Sequence, residues 1–330
     1  MDQDASLKNK LLCPFLSIYR SYHDPKNPNI KKDKEFIQTE KIFLGLFGLG
    51  LLETFSFLFN ECYSDEHFQE WIIDRKGKAT YDQAVLSFSK WYNHTQNQPP
   101  DKDPSNALPL NDYLSLEQHR FWEKNGYLKV EGVINGQQCD SVVEIICEEL
   151  NIDLDNKETW HKNNEKLQGI MFQVFQHDAI SAIRNDQSIK AIFSDLYKTN
   201  SLIPNADKLG YNPPLKEGIN FKGSPLHWDF DMENGPDYYI QGLIYLNDVP
   251  ENRGAFTLVP GFHHQIEPFL QQYNDVEKAI DFLRKEKKEI AVAGKKGDLI
   301  LWLEALPHAA SPNYSDSPRF VQYISFSKLH

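Results

Sequence analysis

From about residue 171 onward the chain is written in short apolar runs separated by turn signals. The separators are YNPP at 211–214, NDVPENRG at 247–254, PGFHH at 260–264 and AGKKGD at 293–298. Runs of strand length, broken this often, leave no room for long helices and fit an antiparallel β sandwich or barrel. One helix-like stretch, QYNDVEKAIDFLRKEKK at 272–288, interrupts the pattern. The chain has no GxGxxG, no P-loop and no HExxH, so the common nucleotide and zinc-protease solutions are excluded.

Upstream the texture is helical. Ser115 followed by Gln118 is a capping box, which predicts a helix running to about Asn125 and stopping at Gly126. A short strand, YLKVEGV, follows, and then Cys139, Val142, Val143, Ile146 and Leu150 mark one face of a second helix. Residues 96–111, QNQPPDKDPSNALPLN, carry Pro99, Pro100, Pro104 and Pro109 and read as a linker. Before them, Tyr81, Ala84, Val85 and Phe88 fall on one helical face. At 330 residues the chain has room for about two domains. The expected division is a helical N-terminal extension over 1–110 and a second domain over 111–330.

Residues 42–59, IFLGLFGLGLLETFSFLF, reach the lower length limit of a membrane span. Glu53 inside the run is expensive in lipid, and Gly45, Gly48 and Gly50 weaken a helix. A buried helix or two short helices is the expectation, with no stable membrane insertion; a docking surface for a partner protein is the alternative. The formal charge of −12 argues against a nucleic-acid-binding surface. The 4 cysteines form no CxxC pair, so a disulfide scaffold and a cysteine zinc site are not expected. The N-terminus, MDQDASLKNK, has no signal-peptide pattern, and a cytoplasmic location is expected. Burial is well supplied, with 21 Phe, 15 Tyr and 6 Trp.

Chemistry concentrates in three places. PLHWDFD at 225–231 sets His227 and Asp229 one residue apart. On a strand such residues share a face, so an imidazole and a carboxylate can converge on one ion. His308 follows the run GDLILWLEALPH. Two His and one carboxylate are the facial triad of non-haem Fe(II) oxygenases, which leaves coordination positions open. Arg319, within SPRFVQYISFS, lies where a guanidinium can grip a carboxylate with two parallel hydrogen bonds.

The string LHWDFD, then QGLIYLNDVPENRGAFTLVPGFHH, KKGDLILWLEALPHAASPN and RFVQYISF, resembles the phytanoyl-CoA dioxygenase-like Fe(II)/2-oxoglutarate oxygenases over roughly residues 112–330. That resemblance implies an α+β fold, a double-stranded β-helix (a cupin-like jelly roll) with packed helices. It implies that His227, Asp229 and His308 bind Fe(II), that Arg319 clamps the distal carboxylate of 2-oxoglutarate, and that O₂ is the second co-substrate. The implied reaction decarboxylates 2-oxoglutarate to succinate and hydroxylates an unactivated C–H bond. Desaturation is the other outcome such chemistry allows. Related halogenases replace the carboxylate ligand by a small residue; Asp229 is present, which favours hydroxylation.

Relatives with an Arg-x-Ser pair have Ser two residues after the arginine, where this chain has Val321. Ser311, Thr257 and the Gln241 amide are the candidates for the missing partner of the co-substrate. Gln173, Lys208, Trp228, His264 and Trp302 are candidates for substrate contact or for support of the site. Trp228, Phe230, Tyr239, Tyr245 and Trp302 are expected to wall the pocket. Tyr211 to Pro214 reads as a loop lid, and the run Arg284 to Lys288 as a solvated helix end, with a phosphate-contacting patch for a CoA-bound or carrier-bound substrate as the alternative. A small metabolite is the expected substrate. A carrier-bound or CoA-bound substrate docked through residues 1–110 is the alternative, and a non-catalytic jelly roll is the third reading. A homodimer is the expected assembly.

Overall fold

A computed structural model of the chain describes residues 13–25, 30, 32–97, 113–218, 220–230, 235–273 and 275–329. Of the expected linker, residues 98–111 lie outside these. The helices in chain order are α1 (Pro14–Tyr22), α2 (Lys34–Phe47), α3 (Leu51–Asn60), α4 (Asp65–Lys76), α5 (Lys78–Asn97), α6 (Leu116–Asn125), α7 (Gly136–Leu150), α8 (Asp178–Arg184), α9 (Gln187–Tyr197), α10 (Ile266–Gln272) and α11 (Val276–Glu286). The strands are β1 (Tyr127–Val130), β2 (Leu167–Gln168), β3 (Met171–Phe172), β4 (Leu202–Pro204), β5 (Leu209–Asn212), β6 (Ile240–Tyr245), β7 (Phe256–Leu258), β8 (Ile290–Val292), β9 (Leu299–Leu303), β10 (His308–Ala310) and β11 (Arg319–Lys328). They divide into two compact units. One comprises residues 1–108 with 201–206 and 327–330; the other comprises 109–200 with 207–326.

The first unit is an aromatic helical cluster. Phe15 lies 5.6 Å from Phe43 and 5.7 Å from Phe88, centroid to centroid. Burying each such ring contributes about 1.5–3 kcal/mol. The predicted face Tyr81, Ala84, Val85 and Phe88 is fully buried. The apolar run at 42–59 forms two helices bent by 98°, and no single helix among the described residues is long and apolar enough to cross a membrane. The break has a local cause. Gly48 adopts a left-handed φ of 63° that ends α2, and Glu53 turns back to accept the Gly50 N–H at 2.8 Å, opening α3. Leu51, Leu52, Phe55 and Phe59 remain exposed on α3. The unit also takes up the last residues of the chain: Trp91 Nε1 donates to Leu329 O at 2.6 Å, and Leu329 N to Ser201 O at 3.0 Å.

The second unit carries most of the β structure, as two antiparallel sheets with helices packed on them. The larger runs β1-β9-β6-β11-β5-β3-β2, and the smaller runs β10-β7-β8. The sequence LILWL of β9 is buried at every position, as a strand covered on both faces requires. β6 pairs with β9 so that Gln241 faces Trp302, and β11 pairs with β5 so that Arg319 faces Asn212. An isolated bridge joins His227 to His308, tying the HxD segment to β10 and hence to the smaller sheet. The expected capping box is present: Gln118 N donates to Ser115 Oγ at 3.2 Å and Ser115 N to Gln118 Oε1 at 2.9 Å. The helix it opens stops at Gly126.

Candidate metal centre

The bridge between His227 and His308 is reciprocal, each N–H donating to the other's carbonyl at 2.9 Å. Their rings are thereby held 4.6 Å apart. Each ring is oriented from behind. His227 Nδ1 lies 2.8 Å from Pro225 O, and His308 Nδ1 lies 3.1 Å from Leu306 O. A carbonyl can only accept, so Nδ1 carries the hydrogen in both rings and each Nε2 presents its lone pair. Both lone pairs face one carboxylate: His227 Nε2 is 3.3 Å from Asp229 Oδ1, and His308 Nε2 is 3.4 Å from Asp229 Oδ2. One ligand atom from each of the three lies within 4.8 Å of the others. Two imidazole nitrogens and a carboxylate oxygen suit a divalent first-row metal such as Fe(II), with positions left over.

Asp229 is tuned toward the ionised form. Burial works to raise its pKa, but the adjoining His227 and His308 imidazoles and the Gln241 amide N–H outweigh it and hold the carboxyl well below the usual range. The same carboxylate raises the pKa of His227 against the lowering effect of burial. Gln241 Nε2 donates to Asp229 Oδ2 at 2.7 Å, while Gln241 Oε1 accepts Trp302 Nε1 at 2.8 Å. Gln241 therefore fixes the carboxylate instead of offering its amide to the co-substrate. Trp302 reaches the site twice, through this relay and with its ring 5.4 Å from that of His308.

Arg319 is 1 % exposed. Its Nη1 donates to Gly254 O at 2.6 Å. Nε and Nη2 are buried and have no hydrogen-bond partner among the described residues. Two orphaned charged donors in a protein interior are costly unless a ligand anion completes them. A carboxylate matches that need in charge and in fork geometry. The cradle depends on Gly254, whose φ is +63° and whose absent Cβ would fall 2.3 Å from Asn212 Nδ2. The NRG turn was visible in sequence; that its carbonyl holds the arginine was not.

The other candidates separate by position. Thr257 Oγ1 donates to Ala309 O at 3.2 Å, across the β7–β10 pair that carries His308. Ser311 is half-buried just beyond β10, and its carbonyl accepts Asn212 Nδ2 at 3.1 Å. Gln173 keeps a buried Oε1 without a partner among the described residues. Lys208 lies over the Tyr323 ring at 5.5 Å. Five expectations differ in the structure. Trp228, between the two candidate ligands, packs on Phe262, with Nε1 donating to Ala305 O. His264 Nε2 contacts Glu123 O at 3.0 Å, a clamp onto α6. Tyr245 is spent on structure, with its hydroxyl donating to Val292 O and accepting Phe256 N. Phe256 lies near His308 instead, its ring 5.7 Å from that of His308 and 4.2 Å from that of Trp302. The lid residue Tyr211 is buried, its hydroxyl donating to Trp160 O. Arg284, read as part of a solvated helix end, grips Leu226 O through Nε and Nη2 and so steadies the residue before His227.

Two histidines and a carboxylate that could hold a metal ion, in a unit that also buries an arginine with open donors, suit the chemistry of metal- and 2-oxo-acid-dependent oxygenases. The chain belongs to the phytanoyl-CoA dioxygenase (PhyH) family, whose profile matches residues 122–321. That family is Fe(II)- and 2-oxoglutarate-dependent. A Dictyostelium discoideum protein named after phytanoyl-CoA dioxygenase is 22% identical over 262 residues, 62% of this chain and 73% of the relative. The 2-aminoethylphosphonate dioxygenase of the uncultured bacterium HF130_AEPn_1 is 22% identical over 232 residues, 66% of this chain and 83% of the relative. Among solved structures, the non-heme alpha ketoglutarate dependent carbocyclase SnoK from nogalamycin biosynthesis is similar. Its TM-score is 0.49 at 18% identity, covering 65% of this chain and 84% of that one.

Proposed function

We propose that the protein hydroxylates an unactivated C–H bond of a small metabolite, with His227, Asp229 and His308 holding Fe(II) and Arg319 holding the distal carboxylate of 2-oxoglutarate. The observation that carries this reading is the pair of buried, unpartnered donors on Arg319 in the same unit as the three converging ligand atoms. On this reading the two sheets are the faces of a double-stranded β-helix, and residues 1–110 are a helical extension to the oxygenase domain.

Fe(II) bound with 2-oxoglutarate and O₂ supplies an oxidant able to break a C–H bond, with succinate and CO₂ as co-products. The chain supplies geometry. Pro225 O and Leu306 O hold the two imidazoles in the ligating tautomer, and Gln241 holds Asp229. On this reading Thr257 and Ser311 are the hydroxyl candidates for the co-substrate, in place of the serine that Val321 does not provide. Trp302 and Phe256 keep water from the histidine side.

The test is turnover of a metabolite panel by the full chain with Fe(II) and 2-oxoglutarate, read by mass spectrometry. A product gaining one oxygen supports hydroxylation. A product losing two hydrogens replaces it with desaturation, and turnover of 2-oxoglutarate without Fe(II) contradicts the site assignment.

A further inference from the structure

A cavity of about 230 Å³ in the second unit has a lining unlike the rest of this acidic chain. Lys162, Lys216, Lys222 and His161 line it together with the Trp160 and Phe221 rings, and no Asp or Glu does. A neighbouring cavity of about 300 Å³ shares Lys162 and Lys222 but is also lined by Glu165, so the carboxylate-free lining is confined to the first. Chance does not favour this in a chain with 47 acidic and 35 basic residues. The lysines are only lightly committed. Lys216 Nζ is 3.8 Å from the exposed Glu158 carboxylate, and Lys162 Nζ donates to Asn151 O at 3.3 Å. Lys222 has no acidic partner among the described residues. The field they make is felt nearby: burial, and then the charges of Lys216 and Lys222, push the His161 pKa down. Local positive potential of this kind captures anions whatever the net charge of the protein.

The cavity is linked to Arg319 through one strand pair. Asn212 is one of its wall residues, and Asn212 is the register partner of Arg319 across β5 and β11. The residue types narrow the anion. Arginine, with its planar fork, suits a carboxylate, and none lines the cavity. Several ammonium groups set around one space act as point charges and suit a compact, multiply charged tetrahedral ion. The aromatic and proline walls suit an organic remainder.

We infer that Lys162, Lys216 and Lys222 form a subsite for a phosphate or phosphonate group carried by the substrate. This rests on the oxygenase reading for the word substrate, but anion binding at the cavity can be measured separately. The experiment is anaerobic calorimetric titration of the full chain, loaded with Fe(II) and saturating 2-oxoglutarate, using inorganic phosphate and, in parallel, acetate. Phosphate is expected to bind, and acetate to bind at least about tenfold more weakly. Lys216→Ala with Lys222→Ala is expected to weaken phosphate by about tenfold or more, since each charged hydrogen bond lost costs roughly that factor. Lys222→Arg, which keeps the charge, is expected to retain phosphate binding. Equal phosphate affinity in the wild type and the double variant overturns the subsite. So does acetate binding as tightly as phosphate, or phosphate binding that vanishes when 2-oxoglutarate saturates the protein, since the ion then sits at Arg319. Failure of the wild type to bind 2-oxoglutarate at all overturns the oxygenase reading instead, and is seen in the loading step before any phosphate is added.

Discussion

Gln241 and Asp229 stand in a fixed relationship: the Gln241 amide donates to Asp229 Oδ2 at 2.7 Å while Trp302 holds the other end of the same amide. The consequence is a carboxylate whose orientation is set before any metal arrives. Gln241→Leu keeps the volume and removes both hydrogen bonds. Support groups of this kind are worth about 10–100-fold in metal affinity. The expected result is a fall of that size in Fe(II) affinity, measured by competition with a chelator, with the fold intact by circular dichroism. Trp302→Phe removes only the outer bond, and its loss should be smaller.

Arg319 should behave as a co-substrate residue and leave metal binding alone. Arg319→Ala removes a charged, bidentate contact worth about 1.5–3 kcal/mol, so the KM for 2-oxoglutarate should rise by about one to two orders of magnitude. Arg319→Lys should restore little of it, because an ammonium cannot reproduce the fork. Fe(II) affinity measured without 2-oxoglutarate should stay close to wild type. A large drop there would mean that Arg319 supports the ligands instead.

Gly254→Ala tests the cradle from the other side. The added methyl meets Asn212 Nδ2 at a φ that side chains avoid, so the turn must shift and take the Gly254 carbonyl away from Arg319. The expected phenotype is a raised KM for 2-oxoglutarate with a stability loss of about 1–3 kcal/mol, read by chemical denaturation. Unchanged KM would separate Gly254 from the co-substrate.

The helical unit carries a pH signature of its own. Glu40 is buried, with His23 Nε2 at 3.1 Å and Lys32 Nζ at 2.9 Å. Burial acts to raise its pKa, but His23 and Lys32 outweigh it and the net shift is downward. A carboxyl lowered on folding adds stability above its unfolded value of about 4.3, and that stability is lost as pH falls through the folded value. Glu40→Gln should therefore be less stable than wild type at neutral pH, by about 1–2 kcal/mol, with the gap closing below about pH 4. Urea denaturation at several pH values checks this, and a gap independent of pH contradicts it.

What could be read in the sequence was what local chemistry determines. The box at Ser115 and Gln118, the stop at Gly126 and the buried face at Tyr81 and Phe88 depend on neighbours a few residues away, and each is found where expected. His227 and Asp229 do converge, but not by strand alternation: His227 forms an isolated bridge to His308 and Asp229 lies in the bend that follows. Trp228 stands beside two candidate ligands in sequence, which invited the reading of a pocket wall, but its packing partner Phe262 comes from a distant part of the chain. His264, Gln241 and Arg284 could not be placed, because their partners Glu123, Asp229 and Leu226 are contributed by other elements of the fold. The lysine cavity was invisible for that reason too: Lys162, Lys216 and Lys222 are unremarkable until the loops bring them together.

The central claim is that His227, Asp229 and His308 hold the iron that consumes 2-oxoglutarate. The most direct measurement is succinate formation from 2-oxoglutarate by the full chain and by Asp229→Ala, each with and without Fe(II). Succinate should form only in the wild type and only with Fe(II). Succinate formation retained by Asp229→Ala with Fe(II) would contradict the assignment of the metal centre.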